Sequence, residues 1–517
     1  MSAHLRRDPL LAAASGLVLG AAFLPVPLGF LGWFALVPLL GALERRVEAG
    51  VGMRGLFALG YVGGLAFFLT GTHWLALLSE VAITSPWLKY VAWLAASAYL
   101  AMFWGVAVML AGWVSRRSGV PARWTFAAAM LLVEELRGSG EMGFPWFQPG
   151  YSQHSYVPIL ALAALGSVTL VTLWLLLLNA ALRHAIVQRT PARLALVVGL
   201  LVSPWASALV GAQVAPMHAG PNVALVQGNI PGDIKWAGHH QREILNTFLA
   251  LSDSAARMEP PPVLIVWPET ATGSYLRKQV DQSIAMAEFA ARHRVTLFSG
   301  FADYEYRPDG TPMAWNAAGQ WNADGSLSEV YPKRHLVPFG ERIPFQAILP
   351  ALGKIDFGQA EWMPGARTVL FPSQAGPFSC LVCFESIFPD LARHDVNAGA
   401  RFLVNITNDE WFGKSAALDQ HAAMAAFRAA ENAVPLVRCA NTGLTQLIDS
   451  RGRVMARVPA FSTQILNVVL PPSGPRTLYS RLGDWPGLLA ALAIALLLLA
   501  PWRRRSALDF DTSKPPH

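Results

Sequence analysis

The chain has 517 residues, 53% hydrophobic and only 14% charged, where an ordinary soluble domain is about a quarter charged; water is not its only solvent. Three cysteines, Cys380, Cys383 and Cys439, cannot pair fully, which excludes a disulfide scaffold. A net charge of +7 would suit nucleic acid, but the basic residues stand in short clusters beside apolar runs, so no nucleic-acid partner is expected. The soluble segment lacks zinc-type Cys/His spacing and any Walker loop, so neither a metal nor a cofactor is expected.

Apolar runs of roughly bilayer-crossing length, about 17–25 residues, are predicted near 9–24, 28–43, 55–78, 87–115, 122–138, 158–187, 193–212 and 484–502. They predict an α-helical transmembrane bundle of about eight spans. Residues 1–212 hold about seven, residues 484–517 hold the final span and a tail, and residues 213–483 mix charges, Pro and Gly as a water-exposed domain does. Gly16/Gly20 and Gly60/Gly64 have helix-packing spacing, but 43 glycines produce such pairs by chance.

Arginine sets the orientation. Arg6/Arg7, Arg45/Arg46/Arg54, Arg116/Arg117/Arg123, Arg183/Arg189/Arg193 and Arg503/Arg504/Arg505 occupy every second connection, and positive connections stay in the cytoplasm. Both termini are therefore expected there. The alternate connections, residues 213–483 among them, face outward, which in a bacterium with two membranes is the periplasm. Glu134 and Glu135 beside Arg137 read as an interfacial ion pair, and the aromatic segment 143–153 (GFPWFQPGYSQ) as an interfacial loop.

In the outward domain, the apolar runs at 222–227, 263–267, 295–298, 378–382 and 402–406 read as buried strands. Helical patterns at 239–256, 279–293 and 418–433 interleave with them, which predicts a layered α/β sandwich without giving its strand order. Three polar residues stand where such runs stop: Glu269 after VLIVWP, Lys333 after SLSEVY and Cys383 after FSCLV. Strand ends are where α/β proteins build sites. Together the three supply nucleophilic acyl transfer: Cys383 attacks a carbonyl, Glu269 shuttles the proton and Lys333 stabilises the oxyanion. A carboxylate alone would raise the thiol pKa, so the ammonium is expected to keep a thiolate accessible. Glu341, eight residues beyond Lys333, is a candidate to orient that ammonium.

At these residues the chain resembles the nitrilase (carbon-nitrogen hydrolase) superfamily, and more closely the apolipoprotein N-acyltransferase family of the bacterial inner membrane. The resemblance rests on GFPWFQPGYSQ, VQGNIPGDIKW, WPETA, YPKRHLVPFGE, CFES, NDEWFG and the NTG at 441–443, in order along nearly the whole chain. It implies an αββα nitrilase-like sandwich and a ping-pong reaction. Cys383 takes the sn-1 acyl chain of a phospholipid, with phosphatidylethanolamine the expected donor, and passes it to the α-amine of a diacylglyceryl-cysteine apolipoprotein. By the same resemblance Glu269 is the base, Lys333 and the Phe384 N–H line the oxyanion site, Glu341 supports Lys333, and Trp236, Glu385 and Trp411 lie near substrate. Phe384 departs from the tyrosine that often follows the superfamily's nucleophile, so no phenol acts there.

Energetics point the same way independently. Exposing a fatty chain to water costs on the order of 10 kcal/mol at about 0.8 kcal/mol per CH₂, so a site held at the membrane surface avoids that cost. The loop 356–365 offers Phe357, Trp362 and Met363 to dip into lipid or gate the site. Two rival readings stand beside this one: a membrane-anchored amidase using the same three residues, and a transporter, although the sequence shows no pair of broken helices with paired charges.

Overall fold

The computed structural model describes residues 3–79, 86–210, 220–349, 351 and 361–499; the bundle-to-domain connection at 211–219, the N-terminal part of the 356–365 loop with Phe357, and the final Arg503–Arg505 cluster lie outside them. Seven helices come first: α1 (Ala3–Ala21), α2 (Val37–Glu48), α3 (Met53–Gly71), α4 (Leu88–Ser118), α5 (Ala122–Arg137), α6 (Val157–Val187) and α7 (Pro191–Val210). Among the described residues, the stretches at 53–77, 88–118, 157–187 and 191–209 are long and apolar enough to cross a membrane by length and composition. One core joins the bundle, with Leu39, Phe67, Trp104, Phe126, Val171 and Trp174 buried in it.

The second expected span is not one helix over 28–43. Residues 29–33 form a 3-10 turn, and α2 begins only at Val37 with Pro38 in its first turn, where a missing N–H is harmless. Leftover N–H groups at this buried helix start find side chains: Leu36 N donates to Asn179 Oδ1 (2.9 Å) and Leu39 N to Ser15 Oγ (3.0 Å). The glycine spacing, indistinguishable from chance in sequence, lies at helix crossings. A Cβ on Gly16 would sit 2.0 Å from Gly63 O, and one on Gly60 would sit 2.4 Å from Trp104 O.

Helix α6 is broken. Gly166 is non-helical (φ −159°, ψ 38°) and Ser167 has a positive φ (64°), so the helix restarts at Val168, whose N–H donates to Glu431 Oε1 (3.0 Å). A carboxylate at a helix N-terminus satisfies an orphan donor and the helix dipole together. This is a single break, capped from outside the bundle.

The charged helix ends gather at one end of the bundle. Asp8 receives Arg45 (2.6 Å) and Arg46 (3.4 Å), Glu44 receives Arg123 (2.6 Å) and Arg183 (2.9 Å), and Arg116 donates to Val51 O (2.6 Å). At the other end, Phe23 O, Tyr151 and Trp146 bond to Gln420, Ile387 O and Gln420 of the strand-containing part.

That part runs β1 (Asn222–Gln227), α8 (Gly232–Lys235), α9 (Gln241–Ala256), β2 (Leu264–Val266), α10 (Val280–His293), β3 (Thr296–Tyr306), β4 (Pro312–Trp321), β5 (Tyr331–Pro332), β6 (Phe378–Val382), α11 (Pro389–Ala398), β7 (Phe402–Thr407), α12 (Ala417–Asn432), β8 (Leu436–Ala440), β9 (Thr445–Ile448), β10 (Val454–Val458), β11 (Gln464–Val469) and α13 (Leu478–Leu482). The last helix, α14 (Trp485–Leu499), returns to the bundle, where Arg117 donates to Leu498 O (2.6 Å). One sheet has the order β11-β1-β2-β3-β4-β5 and the other β10-β9-β8-β7-β6. The central pairs β1/β2, β2/β3, β6/β7 and β7/β8 are parallel.

The period-2 pleat sorts side chains by face. Val223, Leu225, Leu264 and Val266 of the first sheet share one buried cluster with Phe378, Val382, Phe402 and Val404 of the second. The alternate residues Ala224, Val226 and Ile265 pack with Phe248 of α9 and Met286 of α10. Leu381 and Leu403 pack with Ala392 of α11 and Ala425 of α12. Strands covered on both faces read as unbroken apolar runs, which is why these were visible in sequence. The strand-like SLSEVY is strand only at Tyr331–Pro332.

Candidate active site

Three chain segments bring the expected residues together. Glu269 follows β2, and its loop presses so closely on β3 that a Cβ on Gly300 would sit 2.7 Å from Glu269 Cα. Lys333 follows β5 and is pinned to β4 by Lys333 N donating to Asn316 O (2.8 Å). Cys383 follows β6 directly in a left-handed conformation (φ 50°) and opens a 3-10 turn through Ile387. A non-glycine residue in that region costs on the order of 1 kcal/mol and persists only where its surroundings hold it.

The Lys333 ammonium is 1% exposed, 2.8 Å from Glu341 Oε2 and 3.6 Å from Glu269 Oε1. Burial pushes its pKa down, but Glu341 and then Glu269 outweigh that and hold it well above the ordinary lysine value. Asn316 ties the carboxylates together, donating to Glu269 Oε1 (2.6 Å) and Glu341 Oε1 (3.0 Å), while Asn408 N donates to Glu269 Oε2 (2.8 Å). Burial, and then Glu269, push the Cys383 thiol well above its ordinary pKa, with Lys333 opposing. The ammonium thus works against burial and the neighbouring acid in the direction that favours a thiolate, without outweighing them. His335 is pushed down to about 4 by burial and then Lys333, so it adds no charge.

Cys380 and Cys439 are fully buried structural thiols; Cys439 Sγ donates to Val266 O (3.3 Å). Cys383, Asp409 and His421 bring possible metal-ligand atoms within 4.8 Å of one another. The donor atoms of the last two are already engaged. Asp409 receives Thr407 Oγ1 (2.7 Å) and Arg438 Nη2 (2.7 Å), and both nitrogens of His421 face protein partners. The Arg438 guanidinium also opposes a cation there.

The remaining expected residues divide. Trp236 and Trp411 are 45% and 41% exposed. Trp411 O also accepts from Ser79 N of the bundle (3.1 Å). Glu385, expected near substrate, is fully buried: it accepts from Tyr331 OH (2.8 Å), Arg334 N (2.6 Å), His335 N (3.1 Å) and Val382 N (2.7 Å). It ties the Lys333 segment to the Cys383 strand from beneath. Trp362, expected to dip into lipid, is buried against Ala302 and Leu336. Glu134 pairs with Arg137, whereas Glu135 instead shares Thr169 Oγ1 with Asp484 at the start of α14.

Residues 222–475 match the family model described as carbon-nitrogen hydrolase, and residues 15–181 match that of the apolipoprotein N-acyltransferase N-terminal domain. A curated apolipoprotein N-acyltransferase of Geobacter metallireducens is 34% identical over 514 residues, covering 97% of this chain and 96% of its own. The chain belongs to the apolipoprotein N-acyltransferase family. A second family member, from Bradyrhizobium diazoefficiens, is 33% identical over 472 residues, covering 87% of this chain and 86% of its own. Among solved structures, a nitrilase-superfamily protein of Saccharomyces cerevisiae matches with 18% identity and a TM-score of 0.38, covering 56% of this chain and 99% of its own.

The structure adds residues that the sequence did not single out. Asn316 lies in mid-strand, where Asn is disfavoured, which was its one available signal. Lys235 is fully buried and donates from Nζ to Glu269 O (3.2 Å). Asp409 belongs to the NDEWFG stretch that carried resemblance without a role; His421 and Arg438 sit in apolar runs and had no signal.

Proposed function

We propose that Glu269, Lys333 and Cys383 form the catalytic triad of a lipoprotein N-acyltransferase that works by a thioester. The observation that carries this reading is the shared buried polar cluster in which one ammonium faces two carboxylates at the mouth of a strand-end cysteine. In the first half-reaction Glu269 takes the Cys383 proton as Sγ attacks the sn-1 carbonyl of a phospholipid. The oxyanion faces Lys333 Nζ and the Phe384 N–H. The ester C–O bond breaks, Glu269 returns the proton to the leaving alkoxide, and a lysophospholipid departs. In the second, the α-amine of a diacylglyceryl-cysteine lipoprotein attacks the thioester. Glu269 takes the amine proton, the C–S bond breaks and the thiol is restored.

Glu341 holds Lys333 charged and aimed, Glu385 positions the 331–335 segment, and Trp236 and Trp411 contact lipid or acceptor. Phosphatidylethanolamine is the donor, and both lipid substrates stay membrane-embedded. The chain divides into a bundle (1–212), a catalytic domain (213–483) and a last span with tail (484–517). About eight spans, two of them short, put the arginine-rich end and both termini in the cytoplasm and the catalytic domain in the periplasm of the inner membrane. The two faces of each sheet support an αββα layer order. Near-full-length relatives named as acyltransferases favour this over an amidase.

The test is steady-state kinetics with phosphatidylethanolamine and a synthetic diacylglyceryl lipopeptide, each varied at several levels of the other. Parallel double-reciprocal lines with lysophospholipid and N-acyl lipopeptide in equal yield support the reading. Intersecting lines, or ammonia released from an amide in place of acyl transfer, count against it.

A further inference from the structure

We infer that His421, backed by Arg438 and stacked by Trp146 of the bundle, is a positioning residue that pins the Cys383–Phe384 peptide with its N–H turned toward the acyl carbonyl. The inference rests on the thioester reading above. It starts from a strained residue of the site, Cys383 at φ 50°. Its carbonyl oxygen lies 3.1 Å from His421 Nε2 and accepts from Ser386 Oγ at 2.9 Å. In a trans peptide the C=O and the next N–H point in opposite directions. Whatever fixes the Cys383 oxygen therefore fixes the direction of the Phe384 N–H, the proposed oxyanion donor.

The imidazole is fully buried and held on every side. At Nδ1 it meets Arg438 Nη2 (3.0 Å) and Asp409 Oδ1 (3.0 Å); Arg438 in turn bonds Asp409 Oδ2 and Asn405. A proton on Nδ1 would leave Cys383 O facing a bare nitrogen lone pair. Arg438 can only donate to Nδ1 and so favours the neutral tautomer with its proton on Nε2, directed at Cys383 O and Ser386 Oγ (3.1 Å), while Asp409 Oδ1 at Nδ1 opposes it. Burial and then Arg438 both push His421 toward that neutral form.

The bundle completes the clamp. Trp146 stacks on His421 with ring centroids 5.2 Å apart, and Trp146 Nε1 donates to Gln420 Oε1 (2.9 Å). Gln420 Nε2 donates to Phe23 O at the end of α1 (3.0 Å), and Phe144 stacks on the Phe384 ring at 6.3 Å. The aromatic 143–153 segment thus braces both residues of the oxyanion peptide. Catalytic competence depends on the bundle being seated beneath the domain.

The test separates acyl transfer to Cys383 from simple alkylation, because iodoacetamide reacts with the same sulfur without forming an oxyanion. Full-length protein in detergent is given a p-nitrophenyl ester of a medium-chain fatty acid, and separately iodoacetamide. His421→Ala is expected to lower acylation on the order of 10²-fold while alkylation stays within about threefold. His421→Gln, which restores an N–H near the Nε2 position, should recover acylation to within about tenfold of the parent. Ser386→Ala, a milder change that guards against misfolding, should cost acylation about three- to tenfold with alkylation spared. Parental acylation in His421→Ala, equal losses in both reactions, or no recovery in His421→Gln overturns the clamp. If the parent itself is never acylated on Cys383, the thioester reading falls first and this inference falls with it.

Discussion

The arginine-rich end of the helical bundle and the candidate site of the strand-containing part both hold clustered charges, and they handle them differently. At the arginine-rich end each carboxylate is closed by its own cations, Asp8 by Arg45 and Arg46 and Glu44 by Arg123 and Arg183. At the candidate site one ammonium is shared by Glu341 at 2.8 Å and Glu269 at 3.6 Å, and Asn316 bridges both acids. A closed pair anchors helices. In the proposed mechanism, the shared one leaves Glu269 able to take a proton and Lys333 able to meet an anion.

Substitutions in each region can break that contrast. Cys383→Ala should abolish acyl transfer, a loss of at least about 10⁴-fold, measured as N-acyl lipopeptide formed by folded protein. Lys333→Ala should lower the acylation rate on the order of 10² to 10³-fold in single-turnover assays, and an unchanged rate would remove its oxyanion role. Glu341→Gln, which takes away only the nearer anion, should cost about 10- to 100-fold in the same assay. At the arginine-rich end, Glu44→Gln leaves Arg123 and Arg183 facing each other. It should lower stability by about 3 kcal/mol, seen in the thermal midpoint in detergent, with the rate per folded molecule unchanged. A loss of rate without a loss of stability there would erase the distinction between the two regions.

The smallest effect is a pH dependence. Burial lowers Lys235 to about 8, with Glu269 and Glu410 opposing. Its folded pKa lies below the unfolded one, so the folded state binds fewer protons between pH 8 and the ordinary lysine value, and stability rises with pH across that window. Below about pH 8 the buried ammonium costs on the order of 3 kcal/mol. The thermal midpoint of the parent should therefore gain on that of Lys235→Met as pH is raised from 7 to 10. A constant gap between them would show that Lys235 does not titrate there.

Much of this was legible in the sequence because it follows local rules. Strands covered on both faces appear as unbroken apolar runs, as in β1, β6 and β7. The long apolar helices α3, α4, α6 and α7 appear as long charge-poor stretches. What was hidden depends on residues distant in the chain. The break in α6 is stabilised by Glu431, more than 250 positions away, and the burial of Glu385 depends on donors from the 331–335 segment, some fifty positions earlier, as well as on its own strand end at Val382. The delayed start of α2 needed the side chains of Ser15 and Asn179. Asn316 and His421 become visible only when sheet and bundle bring them to Glu269 and Cys383.

The central claim is that a lipid acyl chain rests covalently on one sulfur between the two half-reactions. Intact-mass analysis and peptide mapping after mixing the purified protein with phosphatidylethanolamine alone test it directly. The account predicts one added acyl group on the Cys383 peptide, released by hydroxylamine or by a lipopeptide amine and missing in Cys383→Ala. A preparation that completes the full reaction yet carries no such adduct, or carries it on another residue, contradicts the account.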